Sequence, residues 1–255
     1  NLTHRSLLSV VKYPIPRAAA TAGKFIYDDD YYFYINLLAE NQLDLNPGEK
    51  TIDAQIMDLA DEIAYAAHDL EDALSRNMVT IEDIEYEFQI SDEFRGAREQ
   101  FREIVTQSRN TAFQANLLKT SEEFAIIFRK ELTSNIVNRL VADISVVTNL
   151  NGFQELGFGK LNALSEGLKK LLFKIIMRKR NILTYEFRGN KIIRDLYDFY
   201  NERENYKFLP PELKFTLPQP DSCIFKISKK RAVVDYISGM MDTFAVKEWE
   251  THCLK

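Results

Sequence analysis

The chain is 255 residues long, 45% hydrophobic and 28% charged, with a formal net charge of −5 at pH 7. That length fits one large domain or two small ones, and the acidic balance argues against a dedicated nucleic-acid binder while leaving room for a local basic patch. No apolar run reaches the length of a membrane span, no secretory leader is visible, and two cysteines, Cys223 and Cys253, make no disulfide framework, so a cytoplasmic setting is expected.

The chain starts at Asn1 rather than Met and runs straight into patterned sequence, as the later part of a longer protein would. In chain order, Asp28-Asp29-Asp30-Tyr31-Tyr32-Phe33-Tyr34 lacks the alternating ligands of a calcium loop and reads as a helix start with acids in its first turn and an aromatic core face. Between residues 56 and 74, Ile56, Leu59, Ala60, Ile63, Ala67, Leu70 and Leu74 recur at three- and four-residue steps and form one apolar stripe. Thr80 is a helix N-cap followed by acids. Residues 94–118, 121–149, 159–180 and 189–205 each carry a helical period, with a break at Asn151-Gly152. Leu209 to Asp221 is a proline-punctuated surface connection, and a last helix runs from Arg231 to about Trp249. The spacing predicts an all-α fold.

The helix with the stripe also carries Asp58, Asp61, Glu62, Asp69, Glu71 and Asp72. Asp61, Tyr65 and Asp69 are four residues apart, which places them on one helix face at roughly 6 Å per step. Like charges at this spacing cost a few tenths of a kcal/mol each in an isolated helix. The pattern leaves two readings open: a solvated acidic face, or a face on which one carboxylate binds a divalent cation and its neighbours address a ligand. The helix from Leu168 to Arg180 is likewise open between a cationic solvent face on a core helix and a phosphate contact by Lys169. It interleaves no stacking aromatics with its lysines, which weighs against single-stranded nucleic acid.

The segment Asp58-Leu-Ala-Asp61-Glu-Ile-Ala-Tyr65-Ala-Ala-His68-Asp69-Leu-Glu-Asp72 resembles the hallmark of the HD-domain deoxynucleoside triphosphate triphosphohydrolases, the dGTPase-like family. Asn1-Leu2-Thr3 with Lys12-Tyr13-Pro14, the pair Leu168–Phe173 and Arg194-Asp195-Leu196, and Asp235-Tyr236-Ile237-Ser238-Gly239-Met240 are similar to three further family segments, in the family's order. The resemblance implies the later part of an HD-type catalytic core over residues 1–92 and a helical C-terminal region over 93–255. It implies a divalent metal, Mg²⁺ or Mn²⁺, held in part by Asp61, and Tyr65 and Asp69 on the deoxyribose. It implies Lys12 and Tyr13 near the triphosphate, Lys169 on phosphate, and Arg231 at a position where the family often has a basic residue. The implied substrate is dGTP or several dNTPs, hydrolysed to deoxynucleoside and tripolyphosphate by a metal-activated water, in a homo-oligomer with no membrane and no nucleic-acid partner.

Two departures accompany the resemblance. The family's first His and its His-Asp pair precede the Asn-Leu-Thr segment, and the histidines here are His4, His68 and His252. His68-Asp69 spells the motif but follows the metal Asp by seven residues, so it reads as an accident. Met177 stands where the family usually has Tyr. The expected catalytic unit is therefore incomplete and inactive alone, with a non-catalytic regulatory or assembly module of the same fold as the alternative.

Overall fold

A computed structural model describes residues 2–20, 23–115, 120–149 and 152–254. Asn1, Asn151 and residues 116–118 of the expected helix 94–118 lie outside these residues. Among the described residues the chain is all-α, with eleven α-helices and one two-stranded sheet. It divides into two compact units, Asn1–Ile176 and Met177–Lys255.

The first unit holds α1 (His4–Ser9), α2 (Asp28–Glu40), α3 (Ile52–Ser75), α4 (Ile81–Ile90), α5 (Arg98–Phe113), α6 (Ser121–Ala142), strands β1 (Ile144–Thr148) and β2 (Gln154–Phe158), and α7 (Asn162–Met177), whose last residue crosses the division. The caps explain where these helices begin. Thr51 accepts from the Ala54 amide at the start of α3, and Thr80 and Thr120 each form a reciprocal capping box with Asp83 and Glu123. Asp28, Asp29 and Asp30 fill the first turn of α2, as the sequence predicts, and Tyr34, Leu37 and Leu38 form its buried face.

The core of this unit packs Leu59, Ile63, Ala67 and Leu70 of α3 against residues such as Phe88, Phe101, Ile104, Leu132, Ile136 and Leu168. The α3 stripe is thus buried at Leu59, Ile63, Ala67 and Leu70, whereas Ala60 is exposed, Ile56 is 53% exposed, and Ala66 and Ala73 complete the inward face. The compact division falls at Ile176–Met177, because α3, α4, α5, α6 and α7 share this one core.

One local expectation for this unit is corrected. The helix expected to run to residue 149 stops at Ala142, and Ile144–Thr148 pairs antiparallel with Gln154–Phe158, Val146 opposite Leu156. Three of the five β1 residues after the helix are Val or Ile and one is Thr, which suit a pleated pair better than a helix end. Gly157 is required there, since a Cβ at this position would stand 2.6 Å from Val147 Cγ2. The Asp143 carboxylate accepts from the Lys160 and Leu161 amides at 2.8–3.1 Å, which closes the hairpin and sets the start of α7.

The second unit contains α8 (Arg180–Asn201), α9 (Pro211–Phe215), α10 (Phe225–Ser238) and α11 (Asp242–His252) around Leu196, Tyr200, Val233 and Ile237. The helix expected over 189–205 begins earlier, at Arg180, and the one expected over Arg231–Trp249 is two. Gly239 caps α10 and Asp242 opens the first turn of α11. The proline-rich connection holds α9, with Pro211 in its first turn, where a missing N–H costs nothing.

Candidate functional site

The outward face of α3 is a row of acids, and cations from three other segments meet it. Lys12, in the turn after α1, places Nζ 2.7 Å from Asp58 Oδ1 and 2.9 Å from Asp61 Oδ2. Lys50, just before the α3 cap, also bonds Asp58 through its other carboxylate oxygen. The Asp58 side chain is only 15% exposed. Burial pushes its carboxyl up, but the hydrogen bonds from Lys12 and Lys50 outweigh it and hold the group below the usual carboxylate range. The same two carboxylates, Asp58 first, raise the Lys12 ammonium above its ordinary value.

One turn further, Lys169 of α7 reaches back to α3. Its Nζ lies 3.0 Å from Glu166 and 3.5 Å from Glu62. Lys170 takes the other Glu166 oxygen at 3.1 Å. Burial opposes ionisation of Glu166, yet the two lysines leave its carboxyl lowered. This bridge separates two concavities. One, of about 300 Å³, lies between α3, the β-hairpin and α7 and includes Lys50, Asp58, Glu62, Phe158 and Glu166. The Gln55 side-chain oxygen accepts from the Leu156 amide at 2.9 Å and ties the hairpin to α3 there. The other, of about 310 Å³, is lined by Asp69, Asp72, Arg76, Lys169 and Phe173, with Met78, Leu172 and Ile176 at its apolar side.

The acids in this second groove differ from those near Lys12. Asp69 is pushed up by partial burial first and by Asp72 second, with His68 opposing. Tyr65 is 54% exposed on the same helix face. His68 turns elsewhere: its Nδ1 lies 3.8 Å from Glu71, whose carboxylate accepts from Thr133 of α6 at 2.9 Å.

The structure therefore brings Lys12 onto Asp61, and Lys169 into one groove with Asp69. Tyr13 sits beside Lys24, whose Nζ donates to its hydroxyl at 3.0 Å. Arg231 lies on α10 of the second unit, 2.8 Å from Asp235. Sequence reasoning missed Lys50 and Glu166. Lys50 stands before the α3 cap, outside any helical register with Asp58, and Glu166 bears on α3 only across a helix interface. The i, i+3 pair Glu166–Lys169 was the one signal available.

Among the described residues, no three His, Cys, Asp or Glu side chains come together as a metal centre. Asp61 offers a hard oxygen donor suited to Mg²⁺ or Mn²⁺, but it is one carboxylate and shares an oxygen with Lys12. These residues do not fit a self-contained cation site.

A family model described as a phosphohydrolase-associated domain matches residues 160–251, from the start of α7 to the end of α11. The chain is 45% identical over 255 residues to deoxyguanosinetriphosphate triphosphohydrolase-like protein 2 of Vibrio cholerae serotype O1, covering 99% of this chain and 59% of that protein. It is 27% identical over 293 residues to a deoxyguanosinetriphosphate triphosphohydrolase-like protein of Shewanella sediminis, with 97% and 62% covered. A protein of the same name from Rickettsia typhi is 27% identical over 263 residues, with 99% and 61% covered. The all-α fold thus carries, over α7 to α11, a segment similar to a phosphohydrolase-associated domain. More narrowly, the chain is similar along nearly its whole length to proteins named deoxyguanosinetriphosphate triphosphohydrolase-like, of which it spans about three-fifths. No described helix is long and apolar enough to cross a membrane.

Proposed function

We propose that this chain forms the phosphate and sugar wall of a dNTP triphosphohydrolase, which releases tripolyphosphate and deoxynucleoside. The carrying observation is the Lys12–Asp61 contact of 2.9 Å on the face that also bears Tyr65 and Asp69. Two segments 49 residues apart, each matching a different family motif, converge on one spot, and that spot pairs an ammonium with a carboxylate. In this reading Asp61 contributes one ligand to a divalent cation, Mg²⁺ or Mn²⁺, completed by residues outside this chain. That cation would supply charge neutralisation and a polarised water when bound.

The chain's own residues do the rest. Lys12 and Lys169 offer ammonium groups to phosphate oxygens, displacing their present carboxylate partners. Tyr65 packs on the sugar ring, and Asp69 accepts from its 3′-hydroxyl. Arg231 is a further basic position, and Tyr13, held by Lys24, borders Lys12. The exposed Phe187 and Tyr185 of α8 support a homo-oligomer of the whole protein.

The test is tripolyphosphate release from each dNTP with Mn²⁺, using this chain and a polypeptide extended upstream to a relative's full length. The extended protein turns over substrate, its Asp61→Ala variant does not, and the chain alone is inactive. Failure of the extended protein to hydrolyse any dNTP leaves the regulatory or assembly module. Asp69→Ala lowers discrimination between deoxy- and ribonucleotides, and an unchanged preference would remove Asp69 from the sugar.

A further inference from the structure

We infer that Glu62 and Glu166 hold Lys169 back from phosphate, and that Glu166, steadied by Lys170, is the positioning residue that sets how readily Lys169 is given up. The inference rests on the reading just proposed, in which Lys169 serves phosphate, and adds what governs that service.

Lys169 already faces two carboxylates. Its Nζ stands 3.0 Å from Glu166 Oε1 and 3.5 Å from Glu62 Oε1. An ammonium has three N–H donors and no acceptor, so an incoming phosphate oxygen competes with both glutamates for them. Each glutamate also repels the phosphate. The three side chains are 24–32% exposed, and ion pairs so open to water are weak enough to exchange.

Glu166 is placed to survive that exchange. Its other oxygen takes Lys170 at 3.1 Å. Lys170 is itself anchored, with Glu93 at 3.2 Å and the Phe94 ring centroid 5.3 Å from its ammonium. When Lys169 leaves, Glu166 keeps a cation and remains a satisfied, ionised group. Two successive lysines of α7 thus have different tasks: Lys170 is a fixed post, and Lys169 is the group that changes partner.

The contact also has a place in the surface. Lys169 borders the groove of Asp69 and Asp72, whereas Glu62 and Glu166 line the concavity beside the β-hairpin. The bridge is therefore a partition between spaces of about 300 and 310 Å³, each at the small end of ligand pockets. An anion that draws Lys169 off the glutamates removes the partition and joins the two.

Tripolyphosphate in EDTA is the probe, since it carries the phosphate chain without base, sugar or metal. Its dissociation constant is measured by calorimetry on this chain and on the extended protein, beside dNTP hydrolysis by the latter. Glu166→Gln tightens binding roughly three-fold, the range of a partly exposed ion pair. Lys170→Met weakens it, because Glu166 then leans on Lys169 alone. In a Lys169→Met background neither substitution has a comparable effect, which separates release of Lys169 from a general change of field. In the extended protein Glu166→Gln lowers KM for dNTP more than it alters kcat. A merely structural role would weaken binding and rate together, and urea midpoints confirm that each variant folds. Tighter tripolyphosphate binding without hydrolysis keeps this inference and sinks the hydrolase reading. Hydrolysis with an affinity that ignores Glu166, or that shifts equally without Lys169, does the reverse. Absence of both binding and hydrolysis overturns both.

Discussion

The two ends of the α3 face carry similar numbers of acids but opposite electrostatics. At the N-terminal end Asp58 and Asp61 are met by Lys12 and Lys50, and the carboxyl of Asp58 is lowered. At the C-terminal end Asp69 and Asp72, one turn apart on the same helix, line a groove with Arg76 and Lys169, and burial first and Asp72 second raise the carboxyl of Asp69. The first end is a compensated ion cluster, which also ties the α1 turn and the α3 cap to one helix. The second is under-compensated, a state that costs stability and persists where a ligand can relieve it. The difference shows that the sign of a residue's charge says little about its role until its counter-charges are located.

Several substitutions test that contrast. The largest effect is on activity: Asp61→Ala in the extended protein loses turnover while its far-UV circular dichroism stays near wild type, because Asp61 is exposed and its loss costs little packing. Retained activity would break the link between this end and chemistry. Next comes stability. Asp58→Ala leaves Lys50 without this carboxylate and Lys12 with Asp61 alone, and destabilises the chain by about 1–2 kcal/mol in urea titration, a charged hydrogen-bond value discounted for the partial exposure of both lysines. A change below a few tenths would mean the cluster does not hold the α1 turn.

The pH dependence follows from the directions of shift. Asp58 has a folded value below its unfolded one, near 3.9. Its stabilisation is fully present above that unfolded value and is lost as pH falls through the lower folded value. Wild type and Asp58→Asn therefore differ most at neutral pH and converge in strong acid, read from urea midpoints across the acid range. The smallest effect is at the other end. The fold raises Asp69, so its ionised form carries a penalty that sets in as pH rises from the unfolded value through the folded one and stays above it. Asp69→Asn thus raises neutral-pH stability by a few tenths of a kcal/mol, within the range of surface changes, while weakening the sugar contact. A loss of stability would mean that Asp69 is compensated after all.

Much of the fold was legible residue by residue. The Thr80 start with its acids, the Asp28–Asp30 first turn and the buried middle of the α3 stripe all follow from local chemistry, because a cap or a three-four period needs only neighbours in sequence. The β-hairpin escaped the same reading. Val146 and Val147 satisfy a helical period as well as a strand, and the pairing that decides between them comes from Leu156 and Glu155, eight to ten residues away. At the candidate site, Asp61, Tyr65 and Asp69 share a face by spacing alone. That Lys12 reaches Asp61, or that Lys169 lies between two glutamates rather than free, depends on packing.

By itself the amino-acid sequence determined the helical class, the starts of α2 and α4 and the family resemblance, since propensity, capping and motif order are written in short windows. The tertiary structure decided which acids have partners. Ion pairs such as Lys50–Asp58 and Lys169–Glu62 form when separate elements bury a common core and bring their outer faces together, and no local period encodes that distance.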